Sequence, residues 1–103
     1  MTDIVTHRGP GQRAPLHPGA VLNDIIPDVG KSKTEIARLL GISRQYLYAV
    51  LDGTKPLSPA MAARIAKAFG GSTASWLRMQ ATYDAWHAER DVDVSHIPVL
   101  TAA

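Results

Sequence analysis

A short polar segment in the middle of the chain carries side chains suited to contacting a nucleic acid. Residues 43–49 read Ser-Arg-Gln-Tyr-Leu-Tyr-Ala. An arginine can donate two hydrogen bonds to guanine, and a glutamine can pair with adenine in the same bidentate manner. Serine and tyrosine hydroxyls bond phosphate oxygens, which gives affinity without reading the sequence. These residue types therefore indicate recognition of a DNA duplex.

Helical periodicity predicts which of these side chains face outward. At 100° per residue, Leu47, Val50 and Leu51 fall within about 100° of one another and form the buried face. The remaining residues lie on the opposite face or flank its N-terminal end: Arg44, Gln45, Tyr46, Tyr48, Ala49 and Asp52. A helix that enters the major groove reads bases chiefly with its N-terminal residues. Two alternatives stay open, because Tyr46 could pack at the core edge and Arg44 could contact phosphate alone.

Capping signals divide the middle of the chain into two short helices joined by a tight turn. Ser32 followed by Glu35 predicts a reciprocal capping box at the start of the first helix. In Gly41-Ile42-Ser43, the glycine ends that helix and the serine caps the next one. The second helix ends at Gly53. Small Ala37, four residues before Gly41, permits close approach of the two helices. The pattern predicts a helix-turn-helix, with an ordinary α-hairpin as the alternative.

The flanking sequence predicts three further helices. One runs from Pro18 to Ile26, another opens at Ser58-Pro59 and ends at Gly70, and a long one follows Gly71 or Ser72. With five helices and no convincing strand, the fold class is an all-α domain over residues 17–90. Residues 1–16 contain glycine and proline without apolar periodicity and are expected to form a flexible arm. Residues 91–103 form a short tail.

Charge is unevenly distributed although the whole chain carries only +2. Between residues 31 and 67, seven basic and two acidic residues give +5, whereas from residue 79 onward one arginine and four acids give −3. We expect Lys33 and Lys55 to lie near the DNA backbone and to supply affinity without sequence preference. Either could instead be an ordinary solvated lysine. Arg38, Arg64 and Lys67 are expected to be surface charges.

The long last helix carries an unusual share of the aromatic residues. Two tryptophans exceed what such a small core usually takes, so part of this helix is expected to bury against a second subunit. The predicted interface residues are Trp76, Met79, Tyr83 and Trp86. A symmetric dimer would place two recognition helices about 34 Å apart, as a palindromic operator requires. The alternative is a helix that is used entirely within one subunit.

Other function classes find little support in the residues. The four histidines are scattered and no nucleophile or paired-carboxylate arrangement is present, so we expect no enzyme, no metal site and no cofactor. The absence of cysteine favours a cytoplasmic protein. The N-terminal sequence is not that of a signal peptide, and no apolar run approaches the ~18 residues that span a membrane. A pure protein-interaction module remains a third class, and it would have no DNA affinity.

Residues 17–86 resemble the HigA-type antitoxin subgroup of the Cro/phage-repressor-like helix-turn-helix family. The resemblance lies in His-Pro-Gly at residues 17–19, Gly-x-Lys-Pro-Leu-Ser-Pro at 53–59, and Trp-Leu-x-x-Gln-x-x-Tyr-Asp-x-Trp at 76–86. It implies a λ-repressor-like five-helix domain and a homodimer that binds double-stranded operator DNA. It also implies a partner toxin similar to HigB, an mRNA endonuclease, which the antitoxin neutralises by binding.

The chain departs from the family pattern at three of the predicted contact positions. The family usually has glutamine at the position of Lys33, and often has serine and arginine at those of Tyr48 and Ala49. The operator sequence is therefore not implied by the resemblance. A stand-alone repressor without a toxin partner is the main alternative, and the acidic segment 84–93 is our candidate for contact with a basic toxin surface.

Overall fold

The computed structural model describes residues 13–102, and these residues form the predicted all-α fold with five α-helices and no strand. A single 3₁₀ turn, Ile26–Val29, follows the first helix. The helices are α1 (Pro18–Ile25), α2 (Lys33–Leu40), α3 (Arg44–Leu51), α4 (Pro59–Phe69) and α5 (Thr73–Asp91). The predicted arm, residues 1–16, lies largely outside the described residues. Residues 92–102 extend beyond α5 as an exposed tail without helix or strand.

Each of these five helices begins at a side chain that caps its first turn. The Oγ atoms of Ser32, Ser43, Ser58 and Ser72 each accept from the amide three residues later, at 3.0–3.1 Å. The cap of α1 is a histidine, because His17 Nδ1 accepts from the Gly19 amide at 2.9 Å. Such a cap stabilises a helix by ~1 kcal/mol. These local signals explain why the predicted helix starts agree with the structure.

The predicted reciprocal capping box at α2 is only half formed. Ser32 Oγ accepts from the Glu35 amide, but the predicted bond from the Ser32 amide to the Glu35 side chain is absent. The Glu35 carboxylate turns away from the Ser32 amide and accepts from the Arg38 guanidinium, with Nε 3.1 Å from Oε1. The hydrogen bonds from Arg38 lower the pKa of Glu35 below its ordinary value. The capping box occurs instead at α5, where Ser72 and Ser75 each accept from the other's backbone amide.

The helix-turn-helix has the predicted turn between α2 and α3. Gly41 adopts a left-handed conformation, with φ at 74°, and the Ile42 amide donates to the Ala37 carbonyl at 3.0 Å. Ala37 is 1% exposed, which agrees with the close approach that its small size permits. The turn therefore fixes the angle between α2 and α3 and directs one face of α3 toward the core.

The core lies between the helix-turn-helix and the three flanking helices. Its members come from the five helices, from the 3₁₀ turn after α1 and from the loop before α4, and they are Leu22, Ile26, Ile36, Ala37, Leu40, Leu47, Val50, Leu51, Leu57, Met61, Ala62, Ile65 and Trp76. Burying one such large side chain stabilises the fold by ~1.5–3 kcal/mol. The core is thus shared by all five helices and fixes α3 relative to the others.

Side chains from outside the helix-turn-helix satisfy the carbonyls at the ends of its helices. Arg64 Nη1 donates to the Leu40 carbonyl at 2.7 Å, and Asn23 Nδ2 donates to the Leu51 carbonyl at 3.1 Å. Arg64 is exposed, as predicted, but it is more than an ordinary surface charge because it also forms this bond to Leu40. Carbonyls in the last turn of a helix have no partner within that helix, so these two bonds hold α2 and α3 at their C-terminal ends.

Helices α1 and α3 approach each other closely at Gly19. A Cβ atom on Gly19 would lie only 1.9 Å from the Val50 carbonyl oxygen, so no side chain fits there. The Asn23 hydrogen bond to Leu51 lies one turn further along the same pair of helices. Helix α1 therefore forms the support directly behind α3.

We predict that Gly19→Ala lowers the free energy of unfolding by about 3 kcal/mol, because the added methyl group forces α1 away from α3. Denaturant unfolding followed by circular dichroism measures this change. Gly30→Ala is the control, since Gly30 has φ at 77° but no atom within 4 Å of an added Cβ. Gly30→Ala should lower the free energy of unfolding by about 1–2 kcal/mol, because only the left-handed backbone conformation opposes the added methyl group. A smaller loss for Gly19→Ala than for Gly30→Ala would contradict the packing of α1 on α3.

Candidate nucleic-acid interface

Helix α3 presents the polar face that its periodicity predicts. Arg44, Gln45 and Tyr48 are exposed, with Tyr48 42% accessible. On the opposite side, Leu47 and Val50 are 1% and 0% exposed. The orientation of α3 is therefore fixed by its apolar face, and three side chains able to contact a duplex are left pointing into solvent.

Tyr46 and Ala49 are less accessible than the other members of this face. The Tyr46 ring packs against the core, and its hydroxyl donates to Ser58 Oγ at 3.4 Å. This arrangement favours the core-edge alternative for Tyr46, whose ring ties α3 to the start of α4. Ala49 is half-buried and leaves the surface of α3 free of a bulky side chain at that point.

The first turn of α2 lies beside the exposed face of α3. The Lys33 ammonium sits over the Tyr48 ring, 5.6 Å from its centroid. A cation–π contact at an exposed site stabilises by ~0.5–1 kcal/mol, enough to bias both side chains toward this arrangement. The structure thus brings a positive charge and an aromatic hydroxyl together at one edge of the α3 face.

The N-terminal end of α3 offers donors to an anion. Ser43 Oγ accepts from the Tyr46 amide at 3.0 Å, and its own hydroxyl hydrogen is still available to donate. The first amides of a helix have no carbonyl partner within it, and the helix dipole places partial positive charge there. Ser43 and the start of α3 are therefore suited to a phosphate oxygen.

The loop between α3 and α4 is folded back onto α3 and carries Lys55. The Ala49 carbonyl accepts from the Thr54 amide at 3.0 Å, from Thr54 Oγ1 at 3.1 Å and from the Lys55 amide at 3.2 Å. Gly53, with φ at 77°, allows the chain to reverse at this point. The backbone of Lys55 is consequently held at the C-terminal end of α3, and its side chain is exposed there.

The predicted contact residues therefore form one continuous surface on the described part of the chain, which we call the α3 surface. It comprises Lys33, Ser43, Arg44, Gln45, Tyr48 and Lys55, with Tyr46 and Ala49 partly buried at its margin. Its charged groups are three cations, and the one acid on α3's outer side is Asp52 at the far end. The surface is thus basic at its N-terminal edge and along the loop.

The aromatic side chains of α5 divide between the core and the surface. Trp76 is 6% exposed and its Nε1 donates to the Gly70 carbonyl at 2.9 Å, so the structure places it within the subunit. Met79, Tyr83 and Trp86 are half-buried. The predicted dimer interface therefore depends on these three residues rather than on Trp76, and it stays a prediction.

The outer part of α5 forms a chain of ring contacts that begins at α1. His17 meets Tyr83 edge-on at 4.9 Å, Tyr83 and His87 are 4.3 Å apart, and His87 meets Trp86 at 4.9 Å between centroids. The Arg90 guanidinium lies 3.6 Å from the Trp86 centroid. This row keeps the half-buried rings of α5 in fixed orientations.

Two buried polar residues close to the α3 surface were missed by sequence reasoning. His17 is 7% and Gln80 6% exposed, and both contact the loop that carries Lys55. Burial lowers the pKa of His17, and this effect outweighs the nearby Asp84 carboxylate and a hydrogen bond to the Lys55 backbone, which raise it. The burial of Gln80 could have been predicted, because Gln80 lies four residues after Trp76 and therefore on the same face of the helix.

Within residues 13–102, no three His, Asp or Glu side chains are grouped closely enough to bind a metal ion. None of the helices in this range is long and apolar enough to cross a membrane.

Comparison with known proteins agrees with this architecture. The helix-turn-helix family model matches residues 28–77. Virulence-associated protein I of Dichelobacter nodosus is 30% identical over 84 residues, which cover 81% of this chain and 78% of that protein. The solved structure of an addiction module antidote protein of a HigA family from Coxiella burnetii is 25% identical, with a TM-score of 0.73. It covers 86% of this chain and 100% of that one.

The chain belongs to the HigA-type antitoxins of the helix-turn-helix family. A further protein of similar fold is PA4674 of Pseudomonas aeruginosa, solved in complex with its operator DNA. It is 27% identical with a TM-score of 0.68, over 84% of this chain and 99% of that one. The chain spans 62% of the length of virulence-associated protein A' of D. nodosus, to which it is 35% identical over 71 residues, or 68% of this chain. The fold and family predicted from the sequence are thus confirmed.

We predict that the stability of this HigA-type protein falls as the pH is lowered through the histidine range. His17 has a lowered pKa in the fold, so its neutral form is favoured there, and stability is full above the ordinary value of about 6.5. It is lost progressively as the pH falls from that value through the folded pKa, because the unfolded chain then binds the extra proton. Thermal unfolding at a series of pH values measures the effect.

The matched control is His17→Asn, which keeps a capping oxygen for the Gly19 amide but cannot titrate. Its stability should be flat from about pH 8 down to about pH 5, above the range in which carboxylates protonate. An equally steep decline in this variant would show that another group is responsible.

Proposed function

We propose that this protein is the antitoxin of a type II toxin–antitoxin pair. In this proposal it is a homodimer that binds operator DNA in a sequence-specific manner and represses its own operon. It also neutralises a HigB-like, mRNA-cleaving toxin by direct binding. Catalysis by this chain is not required, and DNA as a partner implies a cytoplasmic location.

The single observation that carries the DNA-binding part is the composition of the α3 surface. Gln45 and Arg44 are exposed near the N-terminal end of α3, where a groove-reading helix makes its base contacts. Lys33, over the Tyr48 ring, and Lys55, in the loop folded onto the Ala49 carbonyl, supply positive charge beside them, as side chains that neutralise phosphates would do. The operator complex of the P. aeruginosa relative supports the same use of the fold.

The homodimer part of the proposal is supported by the exposed portion of α5. Met79, Tyr83 and Trp86 are half-buried in one subunit, so part of each side chain remains available to a partner. Aromatic residues and methionine are enriched in interface cores. A two-fold axis beside α5 would repeat the α3 surface for the two halves of a palindromic site.

Toxin binding is supported by charge as well as by family membership. Residues from 79 onward carry a net charge of −3, in contrast to the +5 of residues 31–67. The acidic segment 84–93 is our candidate for contact with a basic toxin surface. A stand-alone repressor stays the alternative, because the α3 surface serves both functions equally well.

We predict that Gln45→Ala relaxes the preference for one base pair of the operator and weakens operator binding by ~1–3 kcal/mol. The loss follows from removing a bidentate contact to one base edge. Gel shifts against the chain's own upstream DNA and single-base variants of it measure the preference. Asp52→Asn, at the far end of α3, is the control and should leave the order of preferences unchanged. Intact discrimination in Gln45→Ala would contradict the base-reading role.

The antitoxin assignment is tested by co-expression with the product of the adjacent reading frame. A stable stoichiometric complex that suppresses mRNA cleavage is the expected result. Operator binding by a dimer that forms no complex with that product would instead support the stand-alone repressor.

A further inference from the structure

The loop between α3 and α4 is held from the side of α5 by a buried amide. Gln80 Oε1 accepts from the Leu57 amide at 2.7 Å, although the two residues are 23 positions apart. Gln80 is 6% exposed, and within residues 13–102 no buried side-chain polar atom lacks a partner. The Leu57 amide is thus satisfied by a side chain of α5.

The orientation of the Gln80 amide is fixed by a second hydrogen bond. Its Nε2 donates to Asp84 Oδ1 at 2.9 Å, one turn further along α5. This bond places the carbonyl oxygen, rather than the NH₂ group, toward the Leu57 amide. Asp84 is exposed, so the pair links a surface carboxylate of α5 to a buried backbone group of the loop.

The same loop is held at two other points. Its start is folded onto the Ala49 carbonyl of α3 through Thr54 and Lys55, and the buried His17 ring at the start of α1 packs beside Gly53. Lys55 thus lies between a restraint on α3 and restraints from α1 and α5. Without the Gln80 bond, the stretch from Lys55 to Leu57 would lose its restraint on the α5 side.

We infer that Gln80 is a positioning residue for DNA binding, which holds Lys55 in register with a phosphate through the Leu57 amide. This inference rests on the proposed function of the α3 surface. Gln80 touches no DNA itself. Its removal lets the loop move, so the Lys55 ammonium is no longer held against the duplex backbone and one phosphate contact is lost.

Gln80→Met tests the inference, because it keeps the volume and the net charge but removes the acceptor. Affinity for operator and non-operator DNA is measured from about 50 to about 200 mM salt. We expect binding to weaken by roughly 3- to 10-fold on all sequences and the salt slope to flatten by about one unit. Discrimination between operator variants should be retained. Amide exchange at Leu57, followed by NMR, should accelerate selectively.

The rescue variant combines Gln80→Glu with Asp84→Asn. The carboxylate keeps the acceptor for the Leu57 amide, and the asparagine amide donates to it, so the direction of the second bond is reversed at unchanged net charge. The wild-type salt slope and slow Leu57 exchange are expected to return.

A double-mutant cycle with Lys55→Ala separates positioning from stability. Lys55→Ala alone should flatten the slope by about one unit, and adding Gln80→Met should flatten it no further, because both changes remove the same contact. A purely structural role would lower the melting temperature while the slope per folded molecule stays that of the wild type. That outcome, or unchanged Leu57 exchange in Gln80→Met, overturns the inference.

If Gln80→Met does not fold, Asp84→Ala is the alternative test variant, because Asp84 is exposed. Its loss removes the bond that fixes the Gln80 amide, so that this amide can rotate. Faster Leu57 exchange supports the inference and unchanged exchange overturns it. Failure of the proposed function is recognised separately, because the wild type would then bind no upstream DNA and Lys55→Ala would have no effect.

Discussion

Two helices of eight residues each carry the α3 surface, and neither is long enough to be stable by itself. About half of their backbone N–H and C=O groups, those in the first and last turns, have no partner inside the helix. Each serine cap satisfies one N-terminal amide, and the carbonyls of Leu40 and Leu51 at the C-terminal ends are satisfied by Arg64 and Asn23 from other helices. The other helices provide these bonds and the apolar contacts beneath α3.

This dependence explains how a small domain can present a precise polar surface. Side chains that read bases must be held in place before binding, because ordering them afterwards costs affinity. The apolar face of α3 fixes its rotation, Gly19 brings α1 directly against it, and Tyr46 ties its first turn to Ser58. Gln45 and Arg44 consequently project from a rigid support. In the proposed function, the half-buried side chains of α5 bind protein partners while the α3 surface binds DNA.

Sequence reasoning found the helices and the orientation of α3 because both depend on local chemistry. Caps and glycines act within three or four residues, and the spacing of Leu47 and Val50 determines the buried face. It failed where bonds join distant positions. Arg64 reaches a carbonyl 24 residues away and Gln80 an amide 23 residues away, and neither pairing has a periodic signature. The predicted bond between Glu35 and the Ser32 amide is absent for a different reason, because the Glu35 carboxylate binds the nearby Arg38 guanidinium instead.

An amide-resolved NMR titration with the chain's own upstream duplex tests the central claim most directly. The account predicts that the largest shifts fall on residues 43–49, with smaller ones at Lys33 and Lys55, while the exposed side of α5 is unaffected by DNA. Shifts confined to α5 and the tail, with residues 43–49 unchanged at saturating duplex, would contradict it.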